Sequence, residues 1–420
     1  MLDIKFIREN PDLIKAAVVK KHLDLDVDEL LATEARRTAL LLEVEGMRAE
    51  QNAATDAIAK ASPESRGEMI ATMKALKDRL SLKEEELKSV MEVWRNLMLR
   101  VPNVPDVSVP EGDSDAQNLE VRKWGEPRTF DFEPKHHVDL MLAHDMADLD
   151  RGAKVAGFRG YFLKNDGALL SWAIWQYALD HFVKKGWTPL IVPSMVRREA
   201  FLGTGYLPQG EEDLYRTQDG DFLAGTAEVA TMAYFQDEIL DKSAFPMKFI
   251  AFSPCFRREA GAHGKDTRGL IRVHEFFKLE QVVLSEANHE TSVALHEELT
   301  KNSEELLQGL NIPYHVVVNC GGDLGLGQVK KYDIEAWVPA EQTYRETHSS
   351  SYFHDFQTRR LNIRYRDDDG KLRFVHSLNN TAVASPRILV SIIENYQNAD
   401  GTITVPEPLQ KYLGKSVIGG

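Results

Sequence analysis

Two apolar runs, FIAFSPCF (Phe249–Phe256) and RVHEFFKLEQVVL (Arg272–Leu284), enclose the turn-rich stretch RREAGAHGKDTRGLI (257–271). Each run alternates and reads as a strand, and the glycines between them let the second return beside the first. The pair is therefore expected to be an antiparallel hairpin at the heart of a sheet. Its charges are unusual for a strand. Arg257, Glu259, Arg272, Lys278 and Glu280 would lie on a cleft floor, where desolvation is costly unless a ligand pairs with them. A ligand carrying charge of both signs is required.

Outward from this hairpin, the chain beyond about residue 120 mixes short β-branched runs (TPLIVP, YHVVVN, YDIEAWVP, LNIRYR) with helical patterns such as ALLSWAIWQYALDHFVKK. This predicts an α+β domain over 121–420, a largely antiparallel sheet flanked by helices. There is no internal repeat and no GxGxxG or Walker loop, which disfavours a Rossmann or P-loop nucleotide site. Upstream, VPNVPDVSVPEGDSD (101–115) is spaced by prolines and has no helical period, so residues 106–120 read as a linker.

Residues 1–105 are glycine-poor and rich in Leu, Ala, Glu, Lys and Arg. Met69, Met73, Leu76, Leu80, Leu87, Val90, Trp94 and Leu97 form a heptad seam with one polar gap at Lys83. Leu40, Val44, Met47, Ala54 and Ile58 form a weaker one, interrupted by Gln51. SPESRG (62–67) is expected to be the turn of an antiparallel two-helix coiled-coil arm, each helix about thirty residues or roughly 45 Å long. Such a hairpin has little core of its own and suits reaching for a partner.

The 420 residues carry 51 Lys and Arg against 65 Asp and Glu, a net charge of -14. That balance argues against a general nucleic-acid coat and leaves room for a local basic surface. Cys255 and Cys320 cannot make a disulfide framework or a CxxC zinc pair, so no zinc is expected. The N-terminus lacks a secretory layout, and no apolar run approaches the ~20 residues of a membrane helix. A cytoplasmic protein without membrane association is expected. His136 and His137 have no carboxylate or Cys at ligand spacing and read as surface residues. DDDG (Asp367–Gly370) reads as a hairpin turn rather than a calcium loop.

ATP together with an amino acid offers the required mixture of charge. Joining them pushes a carboxylate onto the α-phosphate, and a guanidinium touching both anions would relieve their repulsion. The residues resemble the class II aminoacyl-tRNA synthetases, and within them the seryl-tRNA synthetases. KKGWTPLIVPSM around Pro193 is similar to the first class motif, FRRE with RVHEF to the second, and SLNNTAVASPRILVSIIEN to the third. TAE (Thr226–Glu228), KLE ending at Glu280, and YRETHSS (from Tyr344) point to serine. The resemblance runs from MLDIKFIRENPDL to DGTITVPEPLQKYLG.

The resemblance implies a class II catalytic domain, a tRNA-binding arm, ATP with Mg²⁺, and a homodimer through the segment around Pro193. It implies that Arg257 bridges the serine carboxylate and the α-phosphate, that Arg387 holds the γ-phosphate, and that Arg272 reaches the outer phosphates. Phe276 would stack on adenine and Glu259 meet its amino group. Glu346 and Ser349 would hold Mg²⁺. Thr226, Glu228 and Glu280 would surround the serine ammonium, with Glu280 and Thr381 taking its hydroxyl and Asn379 completing the serine site. Taken singly, an Arg or Glu in a strand is usually a solvated or paired surface group; their order along the chain gives these residues weight. Asn380 and Ala382 stand where the family usually has glycine, Pro386 directly precedes Arg387, and His348 stands where serine is usual. Those replacements would tighten the backbone around Thr381.

Two other readings fit parts of the sequence. A relative that adenylates a small amino acid for a carrier protein would lack the long arm. A non-catalytic RNA-binding or coiled-coil adaptor would show erosion of the Arg, Glu and Phe positions, and none is visible.

Overall fold

The computed structural model describes residues 1–261, 264 and 266–420. The chain divides into two compact units, one of Leu2–Val19 with Leu23–Pro102, the other of Asn103–Gly420 with Met1 and Lys20–His22. Ala262, His263 and Lys265, within the turn-rich stretch, lie outside the described residues.

In the smaller unit, two short helices, α1 (Ile4–Glu9) and α2 (Pro11–Lys20), precede the long α3 (Val27–Lys60) and α4 (Pro63–Arg100). At 1.5 Å per residue these long helices run roughly 51 and 57 Å. Asp26 caps α3 by accepting from the Asp28 and Glu29 amides. The connection is shorter than SPESRG suggested. Only Ala61 and Ser62 lie between the helices, because Pro63 occupies the first helical turn, where its missing N–H and fixed φ cost nothing. Leu40 and Val44 pack against Leu80, Leu87 and Val90. The polar gap is compensated across the hairpin, with Lys83 Nζ 2.9 Å from Glu43 and 3.3 Å from Glu86. Toward the tip, from Glu45 to Lys74, no residue is buried.

The larger unit is built on an eight-stranded sheet. Its strands are β1 (Leu119–Trp124), β2 (Thr188–Ile191), β3 (Met247–Phe256), β4 (Glu275–Ser285), β5 (Tyr314–Val318), β6 (Lys330–Val338), β7 (Thr343–His354) and β8 (His376–Ser385). Their spatial order is β1-β5-β6-β7-β8-β4-β3-β2. Every pairing is antiparallel except β2 with β3. The expected hairpin is present, with Phe276 opposite Cys255 and Glu280 opposite Ala251. Helices α5 (His137–Ala143), α6 (Asn165–Lys184), α7 (His289–Gly309) and α8 (Arg387–Asn395) follow in chain order. Leu170 and Ile174 of α6, Leu299 and Leu306 of α7, and Leu389 and Ile392 of α8 join Leu279, Val283 and Val383 of the sheet in one core. The apolar side of β4 faces that core, leaving its charged side free to line a cleft.

DDDG is a turn between the paired strands Arg364–Arg366 and Leu372–Phe374, with Gly370 at φ +79°. Lys242 neutralises it from Nζ positions 2.6 Å from Asp367 and 2.5 Å from Asp368. Both cysteines are free and buried.

Candidate active site

The exposed face of β4, β7 and β8 floors a cleft of about 400 Å³, within the size range of small-ligand sites. All twelve residues singled out from the sequence line it: Arg257, Glu259, Arg272, Phe276, Glu280 and Arg387, with Thr226, Glu228, Glu346, Ser349, Asn379 and Thr381.

Strand alternation explains the first group. Phe276, Lys278 and Glu280 are two residues apart, so all three point into the cleft. Phe277 points the other way and packs against Trp175 at 5.5 Å. Arg257 lies over Phe276 at 5.5 Å, its Nη2 making a long 3.4 Å hydrogen bond to the Gly225 carbonyl. A guanidinium and an aromatic face are thus presented side by side.

Alternation alone would fail for the other two strands. In a regular strand Glu346 and Ser349 would face opposite sides. The β6–β7 register places His348 opposite Ile334 and Glu346 opposite Glu335, so Thr347 is an extra residue. This bulge brings Glu346 and Ser349 to the same face. In β8, Val383 pairs with Leu279 and Thr381 with Glu280, making Ala382 the extra residue. Asn379 and Thr381 consequently face the cleft on one side of this bulge and Ala384 on the other.

Of the positions that depart from the family pattern, Pro386 lines the cleft, and Asn380, Ala382 and His348 sit behind its floor. Asn380 points toward α7, donating to the Leu299 carbonyl at 2.7 Å and to Ser303 Oγ at 2.9 Å. Burial pushes the His348 imidazole down to about 4, so it is neutral at physiological pH. Its Nε2 donates to the carbonyl of the bulged Ala382 at 3.1 Å, and its Nδ1 lies 2.8 Å from Thr347 Oγ1. Backbone pairing of β7 with β8 ends at Ser350 and Asn380, and this side chain joins the two bulges beyond that point.

At one end of the cleft, Glu280 is 2% exposed and lies directly across from Thr381. Lys278 Nζ is 2.5 Å from Glu280 Oε2. Burial pushes the Glu280 carboxyl above its ordinary range, against the pull of Lys278 and Arg257. Glu228 is buried as well, and burial raises it too. Its oxygens accept from Tyr206 Oη at 2.9 Å and Gln357 Nε2 at 2.6 Å. Thr226 Oγ1 accepts from the Glu228 amide at 3.3 Å.

At the other end, Arg272 is held between two carboxylates. Its Nη1 donates to Glu259 at 2.6 Å and its Nε to Asp266 at 3.2 Å. Arg345 joins Asp266 from the far side. Glu259 adopts φ +54°, a left-handed conformation uncommon for a residue with a Cβ. Arg387, at the start of α8, donates from Nε to the Ile271 carbonyl at 3.0 Å and from Nη1 to the Glu346 carbonyl at 2.9 Å and carboxylate at 3.2 Å. Glu346 lines the cleft with 45% of its side chain open to solvent. Burial alone would raise its carboxyl; Arg387, Lys331 and Arg257 together hold it down to about 2.

An ionised carboxylate and a hydroxyl on one face are hard oxygen donors suited to Mg²⁺, which completes its shell with water and phosphate oxygens. Glu346 and Ser349 fit that ion.

Lys278 lies on the cleft floor as its charge and its spacing of two from Glu280 lead one to expect. Other residues of the site have no signal in the sequence: Tyr206, Gln357 and Lys331 carry no motif. Neither does Lys21, whose buried ammonium donates to the carbonyls of Gly325, Leu326 and Gln328 at 3.0, 3.0 and 2.6 Å. Those residues belong to a loop lining the cleft. Burial pushes Lys21 down to about 7. His137 corrects an expectation. It is fully buried, and its Nδ1 lies 2.7 Å from Glu394, a carboxylate 257 positions away in sequence.

A mixed-charge cleft on an antiparallel sheet, floored by the FRRE hairpin and closed by an arginine at a helix start, is the core of a class II aminoacyl-tRNA synthetase. Residues 215–396 match the model of the tRNA synthetase class II core domain (G, H, P, S and T), and residues 1–105 match the seryl-tRNA synthetase N-terminal domain. Serine–tRNA ligases of Deinococcus radiodurans and Clostridium tetani are 47% and 45% identical, covering 100% of this chain and 99% and 100% of their own. The crystal structure of the Pyrococcus horikoshii seryl-tRNA synthetase complexed with ATP superposes with a TM-score of 0.91 at 39% identity, covering 100% of this chain and 99% of that one. A Naegleria fowleri serine–tRNA ligase with AMP gives 0.87 at 32% identity, with 100% and 98% covered. The chain belongs to the seryl-tRNA synthetase family.

Proposed function

We propose that this chain activates L-serine with ATP and transfers the seryl group to the 3′ end of a serine tRNA. The observation that carries this reading is the buried Glu280, set opposite Thr381 and within one cleft of Arg257 and Arg387. In the first step a serine carboxylate oxygen attacks the α-phosphorus, the bond to the bridging oxygen breaks, and pyrophosphate leaves. Arg257 touches both anions and orients the attack. Phe276 stacks on adenine, and Glu259 meets its amino group while sharing Arg272. Arg272 and Arg387 hold the outer phosphates. Mg²⁺, held by Glu346 and Ser349, would supply charge neutralisation on the phosphates. Glu280, Glu228 and Thr226 surround the ammonium, Glu280 and Thr381 read the hydroxyl, and Asn379 completes the serine site. In the second step a ribose hydroxyl of the tRNA attacks the activated carbonyl and AMP departs.

Residues 1–105 are assigned to tRNA binding and 121–420 to catalysis, joined through 106–120. The long hairpin suits recognition of RNA by shape and backbone, which needs reach more than net positive charge. A carrier-loading enzyme has no use for it, and a catalytically dead adaptor has no need of the charged cleft. A homodimer is proposed through the strand preceding Pro193: β2 has one neighbour in the sheet, and Ile191 at its end is 88% exposed. Among the described residues no helix is long and apolar enough to cross a membrane; a cytoplasmic reaction is part of the proposal.

Transfer of labelled serine to total tRNA with ATP and Mg²⁺, beside alanine, glycine and threonine, tests the reading. Charging with serine alone is expected; no charging would return the carrier-loading and adaptor readings. Replacing Glu45–Arg79 by a short turn keeps the buried Leu40, Val44, Leu80, Leu87 and Val90. Adenylation should then stay within about twofold while aminoacylation falls by about 100-fold, the loss of roughly 2.7 kcal/mol of tRNA contacts. Parallel loss of both steps would make the tip part of the folding unit.

A further inference from the structure

His136, His137 and Glu394 place ligand atoms within 4.8 Å of one another, as a metal site would. The hydrogen bonds assign them another role. Leu270 N donates to His137 Nε2 at 3.2 Å, so that nitrogen carries the lone pair and Nδ1 carries the proton. Nδ1 donates to Glu394 Oε1 at 2.7 Å, and the His137 amide donates to the same oxygen at 2.9 Å. Glu394 Oε2 accepts from the Ala340 amide at 2.9 Å. His136 Nδ1 is also occupied, accepting from the Val138 amide at 3.3 Å. No ring lone pair of His137 is left for a cation.

What the cluster does is visible from α8. Arg387 and Glu394 are seven residues apart, two helical turns, and share one face. Both grip the end of the 257–271 stretch, just ahead of β4. Arg387 holds the Ile271 carbonyl directly, and Glu394 holds the Leu270 amide through His137. The next residue is Arg272. Through Ala340, Glu394 also fixes the β6–β7 turn that leads into Arg345 and Glu346. The fit is close: a Cβ on Gly269, itself at φ +94°, would lie 2.3 Å from His137 Nε2. A carboxylate in the last turns of a helix opposes the helix dipole, so Glu394 is not there to favour α8 itself.

We propose that His137 and Glu394 are positioning residues for the nucleotide phosphates: they set where Arg272 and the β7 carboxylate Glu346 stand relative to Arg387, without touching ATP. The inference rests on the phosphate assignments above.

Pyrophosphate exchange, with ATP and serine titrated separately, tests it on the full-length enzyme. In His137→Ala and Glu394→Gln the KM for ATP should rise about tenfold while that for serine stays within about twofold. His137→Gln, which can return an acceptor to the Leu270 amide, should recover to within about threefold of the parent. An unchanged ATP KM, or ATP and serine KM rising together as general loosening would cause, overturns the proposal. Should His137→Ala fail to fold, Glu394→Gln gives the same reading. Arg272→Ala is the control. An unchanged ATP KM in that variant would overturn the phosphate assignment itself, and the positioning role with it.

Discussion

Arg257→Ala is expected to lower serine-dependent exchange of pyrophosphate into ATP by at least about 10³-fold. The magnitude follows from the reaction it serves. Two unit negative charges 4 Å apart repel by about 4 kcal/mol at an effective dielectric near 20, which is about 10³-fold in rate. A guanidinium contacting both groups removes that repulsion and fixes the line of attack. The substitution should cost little in stability, because Arg257 is tied to the protein by a long 3.4 Å hydrogen bond and a 5.5 Å approach to Phe276. Steady-state exchange with a thermal melt beside it separates the two effects. Exchange retained to within tenfold would remove Arg257 from the mechanism.

The second large effect is expected at the hydroxyl pocket. Glu280→Gln should lower kcat/KM for serine by about 10²–10³-fold and narrow the serine-over-alanine preference, which a site built to hydrogen-bond a hydroxyl can hold near 10⁴. Alanine leaves Glu280 and Thr381 unpaired in a buried place, and that penalty is the source of rejection. Threonine keeps the hydroxyl and must be refused by shape. The Lys278 ion pair complicates the variant, since Gln leaves a buried ammonium without its counter-charge. The serine-to-alanine ratio, measured with the melting temperature, distinguishes the outcomes. A lower melting temperature with an unchanged ratio would make Glu280 a structural partner of Lys278 and no reader of serine.

Much of this site could be read in one dimension. Phe276, Lys278 and Glu280 share a face because strand side chains alternate, and the apolar Leu279 and Val283 between and beyond them identify the buried side. The arm was legible for a similar reason, since a seven-residue apolar period commits two helices to one seam, with Lys83 as its marked exception. The turn at its tip was placed too broadly because Pro63 begins a helix as readily as it ends one.

His137 was misread because its partner lies 257 positions away, and local spacing carries no information about such a contact. The arginines, carboxylates and aromatic ring, and the order in which they occur, were determined by the sequence by itself. Their convergence was not. Glu346 and Ser349 meet only because Thr347 is bulged out of β7, and Thr381 stands over Glu280 only because Ala382 is bulged out of β8. A bulge shifts the pleat by one residue, and where it falls depends on the neighbouring strand's hydrogen bonds and on packing behind the sheet. Those are properties of the tertiary structure, so the chemistry could be read from the chain while its geometry required the fold.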